Sequence, residues 1–223
     1  MPVHVAVMDR GRGLPEWVRN HVLDQVMLGV AVIERHAPHL DVDLAIVPTD
    51  IHDHPRWYRS GKAFGTGYAQ IEFNPDHPLF ESEWPREGAA LVVHELHHCL
   101  RWPHSGSRWT LGDIVVLEGL AMLAEATDGL EPLDYGPPPS AEALTDLCAR
   151  VWDERGRAET ETTAWFRETD VDGEDLDAPV NYYVGHHMMT RAVGVLEVDA
   201  FAAALLPTAT LLDAWNATRS LSP

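Results

Sequence analysis

The chain has 223 residues, enough for one well-packed domain or two lobes sharing a core, and eight tryptophans promise large buried anchors. Acidic residues outnumber Lys and Arg by 35 to 16, giving a net charge of −19, which disfavours partnership with nucleic-acid phosphates or anionic lipid. No apolar run reaches the roughly 20 residues that cross a bilayer, the N-terminus lacks a basic region followed by an apolar core, and only Cys99 and Cys148 are present, so a cytoplasmic location without disulfides or membrane is expected.

In chain order, Val3 to Met8 reads as a short buried strand. Leu14-Pro15-Glu16 opens a helix whose apolar positions Val18, Val22, Val26, Val30 and Ile33 recur at three- and four-residue spacing until Pro38 ends it. Val42 to Val47 is a second strand, stopped by Pro48. Asp50 to Gly67, rich in His, Pro, Arg and Gly, reads as irregular, and Ile51-His52-Asp53-His54 within it as a solvated turn rather than a metal site. Tyr68 to Asn74 alternates with period two and forms a strand just before the next helix.

A helix from near Trp84 to Leu100, with Pro85 in its first turn, carries His94-Glu-Leu-His-His98. Residues four apart share a helix face, so His94 and His98 can aim their imidazoles at one ion. Glu95, about 100° round the helix, can reach a water on that ion without taking a coordination position. Polar groups in such an apolar run need compensation, and zinc supplies it. His97 points elsewhere on the helix.

Thr110-Leu-Gly-Asp113 is an N-cap with an acidic residue three positions on. In the helix that follows, Glu118 interrupts Val115-Val116-Leu117 and Gly119-Leu120-Ala121, and a carboxylate there needs a partner. A helix, a loop and a second helix returning beside the first would bring it to the histidines, with Gly119 allowing close backbone approach. Two imidazoles and one carboxylate leave a fourth position for water, the arrangement of catalytic zinc. Glu125, two turns along the same face, is the competing ligand, and Glu118 is preferred for its more apolar surroundings.

Ser140 caps a helix from Ala141 to about Glu154, with Cys148 on its apolar face as a core residue. Arg167 to Asp177 is an acidic stretch whose Asp170-Val-Asp172-Gly-Glu174 lacks a full calcium-loop spacing and reads as a solvated loop. A helix beginning at Asn181 puts Tyr182 and His186 on one face, where they either stabilise an oxyanion or simply pack. Phe201 to Trp215 reads as short helices.

Taken together, His94-Glu-Leu-His-His98, Glu118-Gly-Leu-Ala121 and Tyr182-x-x-Gly185 resemble the gluzincin zinc peptidases, and are most similar to the DUF2268 group of predicted Zn-dependent proteases. The resemblance covers roughly residues 65 to 195. It implies zinc on His94, His98 and Glu118, with Glu95 as catalytic base. By the same resemblance to zinc peptidases, the strand Tyr68 to Asn74 is a candidate to receive an extended peptide as an added strand, the alternative being an ordinary sheet strand. Tyr182 corresponds to a tyrosine of the family's Tyr-x-x-Gly segment, with Asn181 rather than Gly before it.

The expected fold is α+β and zincin-like. A small N-terminal sheet packs on the His-Glu-x-x-His helix in residues 1–104, and a helical C-terminal lobe in 105–223 brings the third ligand. The expected activity is metal-dependent hydrolysis of a peptide or protein substrate, the base removing a proton from a zinc-bound water and passing it to the leaving amine. The rival expectations are a catalytically silent zinc-binding scaffold and a plain helical core in which the two histidines only hydrogen-bond.

Overall fold

The structure is a computed structural model and describes residues 3–8, 11, 13–50, 58–105, 109–158, 170–171, 174–175 and 180–219. The turn expected at Ile51 to His54 lies outside the described residues. The fold is α+β, mostly helical, with a small mixed sheet. Contacts gather in two units, Met1–Trp102 with Ala124–Leu133, and Pro103–Leu123 with Asp134–Pro223.

In the first unit, β1 (Val3–Val7), β2 (Val42–Pro48) and β4 (Tyr68–Phe73) are parallel, and β3 (Arg59–Ala63) runs antiparallel to β4 at one edge, in the order β1-β2-β4-β3. Parallel pairing of β1 with β2 requires a crossover, supplied by α1 (Glu16–His36). Its valine stripe, Val18, Val22, Val26 and Val30, is buried as its spacing demands. Strand β3 falls inside the stretch expected to be irregular. Arg59-Ser-Gly-Lys-Ala63 has no apolar alternation, and what makes it a strand is its pairing with β4 across the Phe64–Gly67 turn, closed by the Phe64 N–H donating to the Tyr68 carbonyl at 2.9 Å.

That pairing corrects the reading of Tyr68 to Asn74 as a peptide-accepting strand. β4 is hydrogen-bonded to β2 on one side and β3 on the other, so no edge of it remains for an added strand. Among the described residues the free edge on this side of the sheet belongs to β3.

Helix α2 (Phe80–Arg101) starts four residues before the expected Trp84. Phe80 and Trp84, one turn apart, both pack on Phe73 with ring centroids 5.5 Å away, and this aromatic burial sustains an extra N-terminal turn ahead of Pro85. From Glu87 to Arg101 every residue is buried, which is why the apolar pattern runs all round the helix instead of along one stripe. α1 crosses it closely at Gly29, where a Cβ would stand 2.6 Å from the Ala89 carbonyl oxygen.

The second unit holds α3 (Leu111–Glu125) up to Leu123, followed by α4 (Ala141–Glu154), α5 (Val180–Leu196), α6 (Ala200–Ala204) and α7 (Thr208–Arg219). The last two residues of α3, Ala124 and Glu125, belong to the first unit. Leu111, Val115, Val151, Val184, Met188, Leu211 and Trp215 build the core of the second unit. The cap of α3 forms as read: the Thr110 hydroxyl oxygen accepts from the Asp113 N–H, and the Asp113 carboxylate accepts from the Thr110 N–H. Ser140 caps α4 by accepting from the Ala143 N–H. Cys148 is a core residue whose thiol burial pushes up to about 12. Gly119 does serve a close backbone approach, but its partner is α5, since a Cβ on Gly119 would lie 2.2 Å from the Gly185 carbonyl oxygen. Within the acidic stretch expected to be a loop, β5 (Asp170–Val171) and β6 (Glu174–Asp175) form a two-residue antiparallel ladder. No helix among the described residues is long and apolar enough to cross a membrane.

Candidate metal centre

His94, Glu95 and His98 sit in the fully buried middle of α2, 3%, 5% and 7% exposed. Their i, i+4 spacing sets the two imidazoles edge to face, ring centroids 4.5 Å apart and planes at 79°. One donor atom each from His94, His98 and Glu118 lie within 4.8 Å of one another.

Glu125, the competing ligand in the sequence reading, takes a different place. Its Oε1 stands 2.6 Å from Nδ1 of His94, it is fully buried, and its Oε2 accepts from the Leu133 N–H at 2.9 Å. A carboxylate on Nδ1 holds the imidazole proton there and leaves Nε2 with its lone pair, the tautomer a metal ligand needs. The sequence signal for this residue was a carboxylate on the same helix face as Glu118. What it lacked was any sign that the chain returns Glu125 to His94, 31 residues away.

The donor chemistry fits zinc. Two neutral imidazoles and one carboxylate would leave a bound Zn²⁺ with net positive charge, so still a Lewis acid, and a tetrahedral position for water. A family model described as "Predicted Zn-dependent protease (DUF2268)" matches residues 39–195. The chain belongs to the DUF2268 family. No curated protein and no solved structure matches it.

Beyond the histidine pair, the DUF2268 chain surrounds α2 with groups that the sequence reading missed. The Tyr58 hydroxyl and the Arg59 Nε both donate to Glu87 Oε2, at 3.0 and 2.7 Å, and all three side chains are buried. This ties the start of β3 to α2, and burial, with Glu87 adding to it, pushes the Tyr58 phenol well above its ordinary range. Two residues on, Gly61 lies against the Glu95 side chain. Cys99, next to His98, is a buried thiol pushed up to about 12 by desolvation and by the nearby Glu95 carboxylate, so it is no nucleophile at neutral pH.

Tyr182 and His186 occupy one face of α5, as their spacing required. The Tyr182 ring packs on Tyr135 with centroids 4.4 Å apart and is half-buried, whereas His186 is exposed and its carbonyl accepts from the Thr190 hydroxyl. His97 is fully buried in α2.

Proposed function

We propose that this chain is a zinc metallopeptidase of zincin-like fold, with His94, His98 and Glu118 as metal ligands and Glu95 as general base. The observation that carries the reading is the convergence of the His94, His98 and Glu118 donor atoms within 4.8 Å, one residue from a buried glutamate. Glu125 supports it by holding His94 in the ligand tautomer.

Zinc, when bound, supplies Lewis acidity at the scissile carbonyl and a water of lowered pKa, towards about 7. Glu95 takes the proton of the attacking water on its carboxylate and returns it to the departing amide nitrogen. Tyr182 and His186, on their shared face of α5, are the proposed donors to the oxyanion. The edge of β3 that no strand among the described residues pairs receives the substrate backbone as an added strand, since main-chain N–H and C=O groups on an edge pair with any extended peptide. The chain works as one catalytic unit in the cytoplasm, residues 1–104 bringing the base and two ligands, and 105–223 the third.

The test is a peptide-library digest with zinc-loaded protein. Cleavage that disappears in Glu95→Gln while one zinc per chain remains is the expected result. Zinc binding without cleavage of any peptide would leave a metal-holding scaffold instead.

A further inference from the structure

A general base needs a defined resting place as well as a carboxylate, and in this chain that place is set by β3. The strand is fixed along its length by the ladder from Arg59↔Phe73 to Ala63↔Ala69. It is fixed again at its start, where Arg59 and Tyr58 both donate to Glu87 of α2. Gly61 follows two residues later. A Cβ built there would lie 2.3 Å from Cγ and Oε1 of Glu95 and 2.4 Å from its Cδ, against the roughly 3.5 Å or more of an ordinary carbon contact. All three atoms belong to the mobile end of one side chain, whereas the backbone they meet is tied on two sides. A methyl group at position 61 therefore displaces the carboxylate rather than the strand.

The same residue faces the edge. The Asn74 N–H donates to the Tyr58 carbonyl, and the Phe64 N–H to the Tyr68 carbonyl, so 58/74 and 64/68 are hydrogen-bonded pairs of the antiparallel ladder. By alternation Ser60 and Lys62 turn their main-chain groups to β4, and Gly61 turns its N–H and C=O to the opposite edge, which no strand among the described residues pairs. We infer that Gly61 is a positioning residue for the reaction: its missing side chain seats the Glu95 carboxylate beneath the segment of β3 that holds the substrate main chain. This rests on the reading of Glu95 as the base.

Zinc-loaded full-length Gly61→Ala is the experiment, with crystal structure, zinc affinity, melting temperature and peptide kinetics compared with the parent chain. The expected result is a Glu95 carboxylate moved by about 1 Å, unchanged zinc affinity, a melting temperature shifted by only a few degrees, and kcat/KM lowered about 100-fold. In a Glu95→Gln background the same substitution should remove nothing further, because both changes act on one group. Glu95 found in its original position beside a shifted β3, or a loss that adds fully to that of Glu95→Gln, would overturn the assignment. A displaced Glu95 in a chain whose parent cleaves no peptide would keep the steric assignment and remove the peptidase reading.

Discussion

Helix α2 carries two buried glutamates eight residues apart, Glu87 at 6% and Glu95 at 5% exposure, and both turn toward β3. The strand answers them in opposite ways. Opposite Glu87 it places the Arg59 guanidinium at 2.7 Å, with the Tyr58 phenol at 3.0 Å on the same oxygen; opposite Glu95 it places a residue with no side chain. A carboxylate held by a buried guanidinium has its charge committed and its rotamer fixed, which suits it to hold two elements together. Glu95, the proposed base, instead faces the backbone of Gly61, which brings no side chain to it. Burial alone marks neither role, and the difference lies in what the facing strand supplies.

Five substitutions sharpen or break this contrast. Glu95→Gln should lower kcat/KM on a cleaved peptide about 1,000-fold while leaving zinc stoichiometry and melting temperature unchanged. An equal loss from Glu87→Gln at unchanged stability would erase the distinction. Arg59→Ala, which strands the Glu87 charge in the interior, should cost about 3 kcal/mol or more in urea unfolding, and a cost near zero would show that the pair holds nothing. Glu125→Gln should weaken zinc affinity about 10- to 100-fold in a chelator competition, since the amide no longer fixes the His94 tautomer. Tyr58→Phe removes one of the two donors to Glu87 and should cost about 1 kcal/mol, with peptide turnover unchanged.

How far the sequence reached follows the range of its signals. Where a pattern is local, it was readable: the valine spacing of α1, the alternation of β4, and the Thr110 and Ser140 caps all state their element within a few residues. The family was readable too, from the resemblance carried by His94-Glu-Leu-His-His98, Glu118-Gly-Leu-Ala121 and Tyr182-x-x-Gly185. β3 was not, because Arg59-Ser-Gly-Lys-Ala63 is a strand only by virtue of its neighbour. The extra turn of α2 depends on Phe80 finding Phe73, and the partner of Gly119 proved to be Gly185, both decided by packing between distant segments. At the site, the i, i+4 histidines announce themselves. The groups around them, Glu125 on His94 and Gly61 on Glu95, come from chain segments 31 and 34 residues away and leave no mark on the motif.

The central claim is a zinc site on His94, His98 and Glu118 beside Glu95. An anomalous-difference map recorded at the zinc edge from zinc-grown crystals tests it most directly. The expected result is one strong peak per chain at about 2.0–2.2 Å from a nitrogen of His94, a nitrogen of His98 and an oxygen of Glu118, with the Glu125 carboxylate still on Nδ1 of His94. A peak bound by Glu125 in place of Glu118, or no peak among these residues, would contradict it.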